Sequence, residues 1–551
     1  MSSIHSLHSV GNLHNTIQSR TAVAKEEGSQ SNRALSDQRL KSSDTPQEDS
    51  VSSTLSTRKD EANSDGKPQT YAHLEKSLSA QQLDLSDIRG SLSQLRDHMD
   101  NATSFKGTHR EEGAAGQFAI PQIDNTAADK GKLFSLMVTT ADGDRVEIEI
   151  SKTHGTEGKL AEGGYSYSET SVSVKIDGEL DAAEFEALTE LTDKLAGLAD
   201  TYRKEDWAQI GDFSAFSHEE LSGFNLNVLG VDGNSFSLDY KVDVNSGERT
   251  ISSDLNGYNF DIRVDIDGLK LDENVANNQQ YLQYQQLIRD TAYSYKQGED
   301  AGGVSSSKAA SFFVQGMDAI FDVDEDEKDA IDQRFSAQDS VEELGGLDRM
   351  NSGNQQLLDS FSSGLADFEA SFNTPIFRPN EYQQSEVSTM SLDIAQITEI
   401  SRHRDQNHSY TDINQRSEYQ SRVSQHLGVG GDSVEHANLD PEANGGQSYL
   451  YRTDIKSASI DRSLSFEDTN KLIAIDEQRS QQHIQKDKTV IGGKLESNTV
   501  KDLSAAYKNA DTHVDIVRTT QEQQAQQILK DYRSIEQMDA LVDGSQVELF
   551  I

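Results

Sequence analysis

Cysteine is absent from all 551 residues, which excludes disulfide frameworks, thiolate zinc sites and cysteine nucleophiles. Apolar side chains are scarce as well: 34% of residues are hydrophobic and 7% aromatic. That is low for one compact core but compatible with folded pieces joined by disordered ones. No stretch approaches the ~18 apolar residues of a membrane-spanning helix. The opening MSSIHSLHSVGNLHNTIQSRTAVAKEEG lacks the basic start and apolar run of a Sec signal peptide. Positive charge is also in short supply, with 50 Lys plus Arg against 94 Asp plus Glu and a formal net charge of -44. Such a chain repels phosphate backbones and anionic membranes, so nucleic acid is excluded as an expected partner. H-E-x-x-H, G-x-S-x-G, G-x-x-x-x-G-K-[ST] and G-x-G-x-x-G do not occur, so the usual metalloprotease, hydrolase and nucleotide-binding signatures are missing. No catalytic, cofactor-binding or metal-ligating residue is assigned from motifs.

What the chain does contain divides it into segments. Residues 1–69 are rich in Ser, Thr, Gln, Asn and charge without apolar period, the composition of a disordered segment. Within 70–100, Leu74, Leu78, Leu85, Ile88, Leu92, Leu95 and Met99 recur at helical spacing, interrupted by Gly90. This amphipathic face has disordered sequence on both sides and must find a partner. Leu85, Ile88, Leu92, Leu95 and Met99 are therefore the expected partner-binding residues, for a protein or for another copy of the chain. Residues 101–130 read as a linker.

From 131 to 273 the period changes to two. Phe134, Leu136 and Val138 pass through Asp142-Gly143 to Val146, Ile148 and Ile150, a hairpin pattern. A third strand carries Tyr165, Tyr167, Val172, Val174 and Ile176. Asp181 and Glu184 then make a D-x-x-E capping signature ahead of Phe185, Leu188, Leu191, Leu195 and Leu198, predicting a helix of about 20 residues. A second short helix is expected around Trp207 to Leu221. Three further strands follow, through Phe224 to Val228, Phe236 to Val244 and Tyr258 to Ile266. The expected domain is α+β, one antiparallel sheet with the 181–203 helix packed on it.

Residues 274–373 read as helical, from Tyr281, Tyr284 and Ile288 through Phe312, Phe313, Met317 and Ile320 to Leu357, Leu358, Phe361, Leu365, Phe368 and Phe372. Residues 374–500 read as polar with short strands, and 501–551 as a helix and tail, the Gln-rich helix of 501–542 using Val514, Val517, Ile528, Leu529, Tyr532, Ile535 and Met538. Residues 131–373 carry 48 acidic and 18 basic side chains, so about two thirds of the net charge lies on that block.

Several short patterns invite chemistry, and each has a plainer reading. Asp322, Asp324, Asp326 and Asp329 alternate as calcium ligands do, but in an EF-hand register Glu327 stands where Gly is needed and Gln333 where Glu is needed. A charged helix start explains the run. Asp265, Asp267 and Gly268 read as a strand end running into a turn. Ser305 and Lys308 have S-x-x-K spacing without its partner motifs, and fit an N-cap region. His5, His8, His14, His403 and His408 lack the register of a zinc site. With no cluster in the right register, calcium is expected not to alter stability specifically.

The stretch DGELDAAEFEALTELTDKLAGLAD resembles segments of uncharacterised acidic proteins from flagellated Gram-negative bacteria, in which a strand-DG-helix unit precedes a sheet. The resemblance covers 131–271 and implies no assigned activity. The closing Glu548, Leu549, Phe550 and Ile551 resemble the terminus of some type I secretion substrates, although a C-terminal strand explains them equally well. Taken together, the expectation is a non-enzymatic exported or envelope-associated interaction protein reaching its place by a non-Sec route. The alternatives are a secreted effector enzyme with a dispersed active site and, for location, the cytoplasm.

Overall fold

A computed structural model describes residues 104–114, 132–157, 165–265, 279–295, 306–321, 363–467 and 471–515, apart from short breaks between elements. Among the described residues are fifteen strands and three helices. All strands join one antiparallel sheet in the order β1-β4-β3-β2-β5-β6-β7-β8-β9-β10-β11-β12-β13-β14, with β15 also on β13.

The expected hairpin is β2 (Lys132–Thr140) and β3 (Arg145–Glu157). Phe134, Leu136 and Val138 face Ile150, Ile148 and Val146 across the ladder, and all six are buried. Period-two side chains fall on one face of a pleated strand, so the register that buries one of them buries all. β4 (Tyr165–Asp177) adds to β3, and β1 (Ser104–Ala114) adds to β4. Part of the expected linker is thus a strand.

Asp177-Gly178 then leads into α1 (Ala182–Glu205). The capping box forms as expected: Asp181 Oδ1 accepts the backbone N–H of Ala183 at 2.7 Å and of Glu184 at 2.9 Å. The Asp181 N–H donates to Glu184 Oε2 at 2.7 Å. Phe185, Leu188, Leu191, Leu195 and Tyr202 bury one stripe of this helix against the sheet, and the crossover places β5 (Leu221–Leu229) beside β2. The second short helix does not form among the described residues from Trp207 on. Trp207 and Ala208 are irregular, and Leu221 already begins β5.

β6 (Ser235–Asp243), β7 (Glu248–Leu255) and β8 (Tyr258–Asp265) continue as a meander. The buried set Ile148, Val174, Leu188, Leu195, Leu238, Tyr240, Phe260 and Ile262 is the core expected from the alternation of the strands and the helical spacing of α1. α2 (Gln279–Ser294) and α3 (Ser306–Phe321) follow, with the α3 rings of Phe312 and Phe313 packed on Phe260 at centroid distances of 5.1 and 6.2 Å.

The expected helical region does not extend beyond α3 as anticipated. Residues Asp367–Asn373 form β9, inserted between β8 and β10. Leu365, Phe368 and Phe372 have helical spacing, but Phe368, Ala370 and Phe372 also alternate, and the sheet edge offered by β8 selects the second period. Leu357, Leu358 and Phe361 lie outside the described residues.

The larger correction concerns residues 374–500. In place of short strands there are β10 (Thr389–Arg404), β11 (Ser409–Leu427), β12 (Tyr449–Glu467), β13 (Lys471–Ile491) and β14 (Lys494–Asp502), four of them 16 to 21 residues long. Val514, expected in a helix, lies in β15 (Ala510–Asp515) opposite Ile475. The rest of the expected C-terminal helix lies outside the described residues. These strands have few apolar anchors because polar cross-strand pairs do much of the pairing. The Arg452 guanidinium grips Asp487 through two hydrogen bonds of 2.9 and 3.2 Å, and Arg462 meets Glu477 at 3.2 Å. One continuous hydrophobic core runs from Phe134 through the three helices to Tyr419 and Val423. Beyond it lie small clusters such as Ala437, Tyr449 and Val490.

Candidate functional site

Two polar constellations stand out, and neither was legible as a unit in the sequence. The first joins the β2–β3 turn to the start of α1. Asp142, Asp144 and Glu184 bring carboxylate oxygens within 4.8 Å of one another. The turn holds its shape through Thr140, whose hydroxyl donates to Asp142 and accepts the Asp144 N–H at 2.9 Å. Asp144 in turn accepts the Glu179 N–H at 2.7 Å. Its carboxyl occupies the space beside Gly178, where a Cβ would lie 2.0 Å from Asp144 Cγ, so residue 178 must lack a side chain for the contact to exist.

Burial raises the Glu184 carboxyl above its ordinary pKa, with Asp142 adding repulsion, while the Thr140 hydroxyl lowers that of Asp142. Two carboxyls this close are stabilised by sharing a proton, and the three together have the donor chemistry for a hard cation. Asp142 lies in the expected turn and Glu184 in the expected helix cap. No spacing rule links positions 142 and 184; the crossover geometry does.

The second constellation lies where the 374–388 segment folds over β11–β13. Ser388 Oγ is 3.2 Å from His426 Nδ1, and His426 Nε2 is 3.7 Å from Glu386 Oε2. Those are the residue types of a nucleophile, a base and an orienting acid. The environment argues for a structural role, because Ser388 and His426 are fully buried and Glu386 is 4% exposed. A nucleophile needs a path for substrate. Ser388 Oγ also accepts the His426 backbone N–H at 3.2 Å. Tyr449 and Asn380 donate to Glu386 Oε2 at 2.8 and 3.0 Å, and Lys488 donates to Oε1. Burial by itself pushes the Glu386 carboxyl up, but the imidazole of His426 beside it, with the hydrogen bonds from Lys488 and Tyr449, outweighs this and holds it at about 2. Burial, together with the bond to Glu386, raises the Tyr449 phenol. This network fastens the 374–388 segment to the sheet.

The positions singled out in the sequence fare differently. Leu85, Ile88, Leu92, Leu95 and Met99, the histidines at 5, 8 and 14, Asp322 to Asp329, Asp267, Gly268, Ser305 and the 548–551 tail lie outside the described residues. Asp265 is exposed at the end of β8, and Lys308 is exposed on α3. His403 meets Asp412 on the neighbouring strand at 3.4 Å, and His408, just before β11, meets Glu467 at 2.9 Å. Asp142, Asp144 and Glu184 are the one group of three possible metal ligands among the described residues. No described helix is long and apolar enough to cross a membrane.

The surface offers a third feature. Among the described residues β14 forms one edge of the sheet, and all nine of its residues are exposed. Leu495 and Val500 are 58% and 65% exposed. Compared with protein-family models, with curated proteins and with solved structures, the chain matches none.

Proposed function

We propose that this chain is a non-enzymatic, exported or envelope-associated interaction protein that serves as a scaffold or binding module. The observation that carries the reading is the exposed β13–β14 edge. A long sheet ending in a strand with water on both faces and two open apolar side chains is built to be paired. The absence of cysteine from the sequence and the resemblance of 131–271 to acidic proteins of flagellated bacteria are in keeping with export. The amphipathic face of Leu85, Ile88, Leu92, Leu95 and Met99 is assigned to the same task.

Cross-linking in the native cells tests this. Lys494 and Lys501 should form intermolecular cross-links that the exposed Lys175 and Lys241 on other strands do not. The I88D/L92D/L95D variant should lose partner contacts made through the N-terminal face while its sheet stays folded. Fractionation should place the chain in the supernatant or envelope; a protein confined to the cytosol with no such cross-links overturns the reading.

The second reading, a secreted effector enzyme, is favoured by one observation. Asp142 and Glu184 are adjacent carboxyls whose proton affinities are pushed apart, as general acid–base pairs are. On that reading D142N/E184Q abolishes the biological effect with partner contacts intact. On the preferred reading it changes neither.

A further inference from the structure

We propose that the Lys488 amine and the Gln383 side-chain amide join in an intramolecular isopeptide bond, tying the 374–388 segment covalently to β13. Such a bond forms within one chain, whether or not that chain has partners, and three groups in contact point to it.

The amine comes first. Lys488 Nζ donates to Gln383 Oε1 and to Glu386 Oε1. A hydrogen bond to an amide oxygen brings the nitrogen toward the adjoining carbonyl carbon, near the separation of about 3–3.5 Å from which attack proceeds.

A carboxylate stands beside both reactants. Glu386 meets the amine through Oε1, while its Oε2 accepts Tyr449 and Asn380 at 2.8 and 3.0 Å. Glu386, Tyr449 and Asn380 are all buried, so the carboxylate is fixed in place and can relay a proton between two nitrogens.

The backbone holds the partners together. The Gln383 N–H donates to the Asn380 carbonyl at 3.1 Å, and the Glu386 N–H donates to the Gln383 carbonyl at 2.8 Å. Lys488 stands on β13 between Tyr451 of β12 and Asn498 of β14. Well-oriented intramolecular pairs react as if at an effective concentration of up to about 10⁵–10⁸ M.

No further reagent is needed. The Lys488 ammonium passes a proton to Glu386, and the freed amine attacks Gln383 Cδ. The Cδ–Nε2 bond breaks as Glu386 hands that proton to the departing nitrogen. Lys488 gives up two of its three amine protons: one completes ammonia, and the second converts it to ammonium. One C–N bond forms and one breaks, with no change of oxidation state. The Lys488–Glu386 ion pair sets the pace, because it keeps the proton on the amine and only the unprotonated amine is a nucleophile. The bond therefore forms slowly, after folding.

A chain without cysteine cannot staple itself through a disulfide. Positions 383 and 488 lie 105 residues apart, so a single isopeptide bond closes a long loop in the part of the sheet beyond the continuous core.

Mass spectrometry of the purified full chain, aged at neutral pH, tests this. Wild type should lose the mass of one ammonia, and a protease digest should show the Gln383 peptide joined to the Lys488 peptide. K488R, which keeps the charge, and Q383E, which removes the amide, should retain their full mass. E386Q keeps the shape of the side chain but cannot carry the proton, and should react at least about a hundredfold more slowly. Circular dichroism checks that each variant is folded; should E386Q not fold, wild type against K488R still decides. Folded, aged wild type at full mass overturns the proposal. So does a loss of ammonia that persists in K488R, which would come from cyclisation elsewhere, or a bond from Lys488 to Asn380 in place of Gln383.

Discussion

The strands from β2 to β10 and those from β11 to β15 belong to one sheet but are stabilised by different means. In the first group an alternating apolar face is sealed by α1, α2 and α3 into a continuous core. In the second, long polar strands are stitched by Arg452–Asp487, Arg462–Glu477 and the Glu386 network, and β14 is exposed throughout. Net charge divides along a similar line. Residues 131–373 carry 48 acidic against 18 basic side chains, whereas 374–515 carry 22 against 15. Burial of apolar area resists charge repulsion, and a ladder of mixed charges limits it locally. The difference teaches that a sheet can outrun its hydrophobic core when the backbone ladder continues and polar side chains find partners across strands.

The comparison is broken most strongly from the core side. Phe312 is fully buried on α3 against Phe260 and Trp207. F312A should lower the unfolding free energy by about 3–5 kcal/mol, while V500A on the exposed edge should change it by less than about 0.5 kcal/mol. Urea unfolding of both variants as dilute, dissociated chain checks the contrast; equal losses would mean that Val500 is packed within the single chain.

The polar half should instead reveal itself through pH. Glu386 is held at about 2 in the folded chain against an ordinary 4.5. Its depressed value means that its contribution is fully present above about pH 4.5 and is lost as pH falls toward 2. The difference corresponds to roughly 3 kcal/mol. Stability measured between pH 5 and 2 should fall more steeply in wild type than in E386Q, which has no carboxylate to protonate.

A smaller effect sharpens the packing argument. A Cβ on Gly316 would lie 2.7 Å from Phe260 Cζ and 3.2 Å from Ile262 Cδ1. G316A should therefore destabilise by about 1–2 kcal/mol, even though alanine is the better helix former by about 1 kcal/mol. A stabilised variant would show that α3 can ride up from the sheet.

The smallest expected effect is at the carboxylate cluster. E184A removes the capping-box acceptor and should cost about 1 kcal/mol. E184Q keeps an acceptor and relieves repulsion with Asp142, so it should stay within about 0.5 kcal/mol of wild type. Calcium at millimolar concentration is expected to shift the melting temperature no more than magnesium does. A calcium-selective rise that E184Q abolishes would instead identify Asp142, Asp144 and Glu184 as a cation site.

Legibility in the sequence followed the same division. The β2–β3 hairpin, the Asp181 cap, α1 and the core residues from Ile148 to Ile262 could be read directly, because apolar period and capping residues are local signals. β9 is hidden in the sequence because Phe368 and Phe372 satisfy two periods at once. β10 to β13 were read as short strands because their stabilising partners are polar and lie on other strands. Arg452 on β12 meets Asp487 on β13, for example, across 35 positions. The Asp142–Glu184 cluster was missed for a related reason: each residue has a sufficient local explanation.

By itself the sequence determined the absence of thiol chemistry, the acidic charge, the alternating core strands and the capped helix, since these follow from composition or from residues a few positions apart. Only the tertiary structure decided that the helices would line one face, that β9 would enter between β8 and β10, and that the polar third of the chain would extend the same sheet to an exposed edge. Those outcomes depend on which backbone edge is free when the next segment arrives. Hydrogen-bond donors and acceptors on a sheet edge are the same for every sequence, so no local pattern can announce them.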